Sequence, residues 1–289
     1  MRIDVGAFRL AEGEAASLAK RATRVDPFYQ SKADYAEILA KHAAALSTLQ
    51  EQLFRSPRYA LLIVLQGMDT AGKDGAIAHV MSGVNPQGCK VVAFKQPTPT
   101  EAAHDFLWRE VRELPERGVI GVFNRSYYEP VLVTRVHPEL LREEGAPDPH
   151  GDLDALWAKR LRSIRGLERH LHANGTRFVK IYLHLSKEEQ LRRLLQRLDT
   201  PDKTWKVSRA DAEERRRWKD YMAAYEHALA ATSVATAPWH IVPADDKLNA
   251  RLIVSQIVID ALEGLKLAPP PIDAARRREL QAIRELLKK

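Results

Sequence analysis

The chain has 289 residues, 45% hydrophobic and 29% charged, the balance of a soluble globular protein with one large domain or two small ones. No apolar run approaches the ~20 residues that cross a bilayer. The opening Met-Arg-Ile-Asp-Val-Gly carries no apolar leader, so a cytoplasmic location is expected. A single cysteine, Cys89, excludes an internal disulfide and a cysteine zinc site, while a net charge of +7 suits a polyanion: nucleic acid, an acidic membrane surface or inorganic polyphosphate.

Residues 31–55 read as an amphipathic helix with Tyr35, Ile38, Leu39, His42, Leu46, Leu49 and Leu53 on one face. The apolar run 60–66 reads as a buried strand, and a helical pattern follows over 73–83. Between them lies Gly67-Met68-Asp69-Thr70-Ala71-Gly72-Lys73-Asp74-Gly75, a phosphate-binding loop in the strand–loop–helix context it needs. Gly67 and Gly72 allow a tight turn and a close approach to ligand. The loop amides then converge on an anion at a helix N-terminus, and Lys73 adds a compact positive charge. Asp74 stands where a nucleotide hydrolase has Ser or Thr to hold Mg²⁺. A carboxylate within the loop, Asp69, makes sense beside bound phosphates only with a cation between them, so Asp69 is the first candidate metal ligand.

Further along, Asn85-Pro-Gln-Gly88 and the stretch Phe94-Lys-Gln-Pro-Thr98 are expected to open onto the same crevice and meet a nucleoside. Strand 90–94 precedes a helix over 100–113, started by a capping box at Thr98-Pro-Thr-Glu101 and carrying His104 and Asp105 as a structural pair. Strand 119–124 leads into Asn124-Arg125-Ser126-Tyr127-Tyr128-Glu129. Arg125 suits bidentate phosphate contact. Asn124 occupies the place where a carboxylate often holds metal, and Glu129 can supply the missing charge. A helix over 152–174, a strand over 177–184 and a helix over 187–198, with a second capping pattern at Ser186-Lys-Glu-Glu189, come next. In the segment 190–221, Arg193 and Arg197 share a helical face, Asp199-Thr-Pro201 breaks the helix, Lys203, Trp205 and Lys206 sit in a loop, and a helix over 209–231 follows. A basic hairpin of this kind reads as a lid able to bring cations over phosphates. Strand 239–242, a helix over 246–264 and a Pro-rich linker with a charged helix over 268–289 close the chain.

Alternating strands and helices predict an α/β fold with a parallel sheet covered on both faces and ligands at the carboxyl ends of its strands. The expected organisation is a single domain over 1–289, with an N-terminal helical extension over about 1–56, the lid and the C-terminal tail.

The motifs at 67–75, 123–129 (Phe-Asn-Arg-Ser-Tyr-Tyr-Glu) and 199–208 (Asp-Thr-Pro-Asp-Lys-Thr-Trp-Lys-Val-Ser), with Asp26-Pro-Phe-Tyr-Gln-Ser-Lys32 and 79–88, resemble the polyphosphate kinase 2 family over about residues 20–265. The resemblance implies a three-layer P-loop kinase fold related to thymidylate kinase, with a five-stranded parallel sheet and a helical lid. It implies reversible, Mg²⁺-dependent phosphoryl transfer from inorganic polyphosphate to a nucleotide, Mn²⁺ being the alternative ion. By the same resemblance Asp69 and Glu129 hold the metal, Lys73 the phosphates and Arg125 the acceptor's phosphate, while Arg193, Arg197, Lys203 and Lys206 act from the lid. Many members carry Asp where Asn124 stands and Asn where Glu129 stands. The swap resembles class III, which phosphorylates both AMP and ADP, so the implied partners are polyphosphate and AMP, ADP and ATP, then guanine nucleotides, with neither nucleic acid nor a membrane, in a homo-oligomer. Two rivals remain: an ATP-dependent nucleotide kinase on the same fold, and a non-catalytic polyanion binder.

Overall fold

Strands β1 (Ala60–Gly67), β2 (Cys89–Ala93), β3 (Ile120–Asn124), β4 (Thr176–His184) and β5 (Trp239–Pro243) form one parallel sheet in the order β2-β3-β1-β4-β5. The computed structural model describes residues 2–268 and 273–288; the side chains of Lys203 and Lys206 lie outside what is described.

β1 shows why the sheet is covered twice. All eight of its residues are buried. Leu61, Ile63 and Leu65 face a core shared with α1 (Lys32–Arg55), α2 (Lys73–Val80) and α11 (Lys247–Glu263). Leu62 and Val64 face the opposite core, built with α5 (Glu129–Val136), α7 (Leu153–Ala173) and α10 (Trp218–Thr232). A strand buried on both faces reads as a continuous apolar run, as this one does. The chain leaves β1 first toward β2 and β3 on one side and later toward β4 and β5 on the other, so the order switches at β1. Ligand crevices in parallel sheets lie at the carboxyl ends beside such a switch.

The five expected strands form within a residue or two of their predicted limits, and the 24-residue α1 buries Tyr35, His42, Leu46 and Leu53 on the expected face. Three helical expectations are corrected. The helix expected over 100–113 is two short ones, α3 (Pro99–Ala102) and α4 (Trp108–Arg112). His104 and Asp105 therefore lie between helices: Asp105 Oδ1 accepts from the Leu107 amide at 3.0 Å and restarts the chain. The helix expected over 209–231 breaks at Arg217 into α9 (Arg209–Arg216) and α10. The short α5 and α6 (Leu140–Glu143) were not expected; α5 reads Glu-Pro-Val-Leu-Val-Thr-Arg-Val, a β-branched composition that hides a helix whose buried residues pack on α7 and α10. α8 (Lys187–Leu198) takes its predicted limits, and Ser186 caps it by accepting from the Glu189 amide. The Glu189 carboxylate turns to Arg192 and Arg193 instead of closing the box. The tail forms α12 (Ala274–Leu287); Pro269 to Ile272 and Lys289 are outside the described residues.

Candidate active site

Between β1 and α2 the loop turns at Gly72, which N-caps α2 at φ 107, a left-handed conformation that a Cβ disfavours. Thr70 is also left-handed at φ 67, a strained arrangement for a residue with a side chain and one that concentrates at functional sites. The loop closes on its own lysine: Lys73 Nζ donates to Gly67 O at 2.6 Å and lies 3.4 Å from Met68 O. Burial pulls the Lys73 ammonium below the usual lysine range; Arg125 adds to that, while Asp69, Glu129 and Asp74 oppose it.

The loop after β3 supplies the second half. The Arg125 amide donates to Leu65 O at 3.1 Å, so this loop lies directly beside the end of β1. Arg125 is itself left-handed, φ 65. Its Nη2 donates to Asp69 Oδ1 at 3.0 Å and its Nη1 to Glu129 Oε2 at 2.9 Å. Glu129, then Asp69, hold the guanidinium firmly charged against the cost of burial. Asn124 Nδ2 donates to Asp74 Oδ1 at 2.6 Å, tying β3 to the first turn of α2. Behind Arg125 the chain is anchored: Tyr127 and Tyr128 are fully buried and donate to Glu168 Oε1 at 3.1 and 2.8 Å, and Glu168 pairs with buried Lys180 at 2.7 Å.

These loops face a cavity of about 1010 Å³. Asp69 to Ala76, Phe94, Lys95, Asn124 and Arg125 line it from the sheet side, and Arg197, Lys247 and Arg251 add cations. An opening of this size, with loop amides and this many cations, fits an extended phosphate chain meeting a nucleotide.

Residues 29–268 match the family described as polyphosphate kinase 2 (PPK2). The chain belongs to the polyphosphate kinase 2 family. The protein named ADP-polyphosphate phosphotransferase from Rhodopseudomonas palustris is 56% identical over 289 residues, all of both chains. The AMP/ADP-polyphosphate phosphotransferase of Meiothermus ruber is 42% identical over 242 residues, 84% of this chain and 86% of that one. The crystal structure of polyphosphate kinase 2 from Arthrobacter aurescens TC1 superposes with a TM-score of 0.84 at 43% identity, covering 96% of this chain and 95% of that one. The fold is therefore the P-loop kinase fold, and the chain is a polyphosphate kinase. No helix among its described residues is long and apolar enough to cross a membrane.

Within this polyphosphate kinase the structure sorts the expected site residues. Asp69, Thr70, Ala71, Gly72, Lys73, Asp74, Gly75, Asn124, Arg125, Arg197 and Trp205 line the cavity. Gly67 and Met68 form the loop's base through their carbonyls, and Glu129 reaches the site through Arg125. Asn85 and Gly88 do not line it. Asn85 is exposed and accepts from the Gln87 amide at 3.0 Å, and Gly88 is pressed against Gln50, where a Cβ would lie 1.6 Å from Nε2. Arg193 also borders the cavity, but at 2% exposure it reaches it from beneath the loop. Its guanidinium donates to Thr70 O (3.0 Å), Ala71 O (3.1 Å) and Ala244 O (2.6 Å), and its Nε to Glu189 (2.7 Å). Burial would raise the Glu189 carboxyl, but Arg192 and Arg193 outweigh it and hold it down at about 2. The side chains of Lys203 and Lys206 lie outside the described residues.

Two cationic cavity residues are absent from the sequence reading, Lys247 and Arg251. They open α11 four apart, on the face toward the loop, but in a helix that otherwise reads as plain core.

The donor set fits a magnesium-sized hard cation. Asp69 and Asp74 bring carboxylates to the cavity, Glu129 stands behind them on Arg125, and Asn124 Oδ1 and Thr70 Oγ1 are buried oxygens without a partner among the described residues. Those residues include no cluster of three or more acidic, His or Cys groups able to enclose an ion. Mg²⁺ commonly takes one or two carboxylates and completes its shell with substrate phosphates and water.

Proposed function

We propose that this polyphosphate kinase transfers the terminal phosphoryl group of inorganic polyphosphate to ADP and to AMP, reversibly, so that AMP can be carried through to ATP. The observation that carries the reading is the joining of the two loops by Arg125, which places a phosphate-binding loop, two carboxylates and a guanidinium at one end of a cationic cavity. The names of the two relatives support the acceptors, one naming ADP and the other AMP and ADP. Asn124 and Glu129 support the use of both.

In the reaction an oxygen of the nucleotide's last phosphate attacks the terminal phosphorus of polyphosphate. The bond from that phosphorus to its bridging oxygen breaks, and the shortened chain leaves with the electron pair. No nucleophilic side chain is required; in-line placement and charge neutralisation carry the catalysis. Loop amides and Lys73 hold the donor's terminal phosphates, and Arg125 holds the acceptor's phosphate while keeping Asp69 and Glu129 in place. Mg²⁺ or Mn²⁺, held by Asp69 with Glu129 beside it, would neutralise the phosphate oxygens. Arg197, Lys247 and Arg251 take the rest of the polyanion, with Lys203 and Lys206 from the lid. A homo-oligomer in the cytoplasm completes the reading.

The test is chromatography of nucleotides after mixing the protein with Mg²⁺, long-chain polyphosphate and AMP, with no ATP. ADP followed by ATP is expected. ADP alone rejects the two-step reading. ATP from ADP with nothing from AMP removes Asn124 and Glu129 as guides to the acceptor. No product from AMP or ADP, with turnover restored when ATP is supplied as donor, establishes the ATP-dependent kinase instead.

A further inference from the structure

The carboxamide of Gln190 is held at both ends by two segments far apart in sequence. Its Oε1 accepts from Arg215 Nη1 in α9 at 3.0 Å, and its Nε2 donates to the main-chain oxygen of Asp69 at 3.2 Å. An arginine can only donate and a carbonyl can only accept, so these partners fix which way the amide points. Gln190 is 2% exposed, which removes water as a substitute partner. Arg215 Nη1 also donates to Lys187 O at 2.6 Å, at the first turn of α8.

Its neighbour Arg193 provides a contrast. That residue grips Thr70 and Ala71 from the same helix, but its other partners are Glu189, Ala244 and Asp245, all in the body of the protein. Its hold on the loop does not depend on where α9 stands. The Gln190 hold does. Asp69 is thus fixed from two directions, its side chain by Arg125 and its peptide by Gln190.

We propose that Gln190 is a positioning residue that couples α9 to the phosphate loop: Arg215 orients the carboxamide, and the carboxamide sets the peptide plane of Asp69 and so the aim of its carboxylate. This rests on the reading of Asp69 as the metal-holding carboxylate only for its consequence in turnover, not for the coupling itself.

The experiment is hydrogen exchange, followed by mass spectrometry, on substrate-free and metal-free protein. It compares Gln190→Met, Arg215→Met, the double variant and Gln190→Glu, which keeps a partner for Arg215 but has no donor for Asp69. One neutral hydrogen bond sets the scale. Peptides spanning 67–73 should exchange about tenfold faster in each single variant, and the double variant no faster than Gln190→Met. In turnover, the Mg²⁺ concentration for half-maximal rate should rise by a similar factor while KM for polyphosphate stays put. Three results overturn the proposal: unchanged loop exchange in Gln190→Met or Gln190→Glu, wild-type exchange in Arg215→Met, or an increase spread equally over β4 and β5. Because exchange is read without metal, a failed metal role for Asp69, seen as a normal Mg²⁺ response in Asp69→Asn, leaves this result standing.

Discussion

Arg125 donates to Asp69 across 3.0 Å and thereby joins the loop after β1 to the loop after β3, two segments 56 residues apart. The pair places the proposed metal carboxylate and the proposed acceptor clamp on one rigid link. Asp69→Asn keeps the shape and removes the charge, and Arg125 retains Glu129. The expected outcome is a fall in kcat of about a hundredfold or more and at least a tenfold rise in the Mg²⁺ concentration for half-maximal rate. A Mg²⁺ titration of initial rates measures both, and a wild-type response to the ion rules out the role.

Glu129 has 15% of its side chain exposed and occupies the other arm of Arg125. Glu129→Asn takes away that carboxylate and leaves the guanidinium with more uncompensated charge. The acceptor with more phosphate facing it gains most, so the ratio of kcat/KM for AMP to that for ADP should fall by about tenfold, roughly the effect of one charged contact. Parallel assays with the two acceptors decide it; an unchanged ratio refutes the acceptor role of Glu129.

Lys73 is half-buried, and its ammonium is bonded to the Gly67 carbonyl. Burial already disfavours its charged form in the free protein. Lys73→Met should therefore lower kcat by a hundred- to a thousandfold, about the range for losing one transition-state charge contact, yet leave the urea midpoint near that of the parent. Turnover within tenfold of the parent contradicts the assignment.

Arg193 gives the opposite expectation. It is 2% exposed and satisfies the carbonyls of Thr70, Ala71 and Ala244. Arg193→Met strands these carbonyls and leaves Glu189 without its buried partner. A loss of stability of about 3 kcal/mol is expected, the scale for breaking a buried ion pair from one side. KM for polyphosphate should change little, because the guanidinium is engaged by main-chain carbonyls beneath the loop. Urea unfolding with steady-state kinetics on the folded variant separates the two, and a large KM effect at parental stability reverses the placement.

The phosphate loop, Asp69 and Arg125 were legible because each sits at the end of an apolar strand, where parallel sheets expose their chemistry. Arg193 was legible as a cation but not as a support. Its i, i+4 spacing with Arg197 marks a helical face, yet spacing does not say which residue of the pair turns inward, and the loop's orphan carbonyls are a tertiary demand. Gln190 was hidden for the same reason: a polar residue in a charged helix reads as solvated until its neighbours are known. Asn85 and Gly88 misled in the other direction. Their position after the loop's helix suggests the crevice, but Asn85 is exposed and Gly88 packs against the Gln50 carboxamide.

Glu110 makes one contribution to the pH dependence of stability, opposite in sign to that of histidines such as His240, which burial pulls down to about 4. It lies fully buried in α4, and its Oε1 accepts from Arg109 Nε at 2.9 Å while Oε2 has no partner among the described residues. Arg109 in turn donates to Lys95 O at 2.7 Å, beside the cavity wall. Burial pushes the Glu110 carboxyl up from the ordinary 4.5 to about 7, against the pull of Arg109. Between those values the native protein holds a proton that the unfolded chain has released. Stability contributed by the neutral form is therefore present at low pH and declines as pH rises through that window, by about 3 kcal/mol in all. Glu110→Gln fixes the neutral form. Its urea midpoint should lose this slope between pH 5 and 7 and match or exceed the parent at pH 7.5, with the Arg109 bond to Lys95 retained. A variant whose stability still declines in parallel with the parent over that range places the titration on another group.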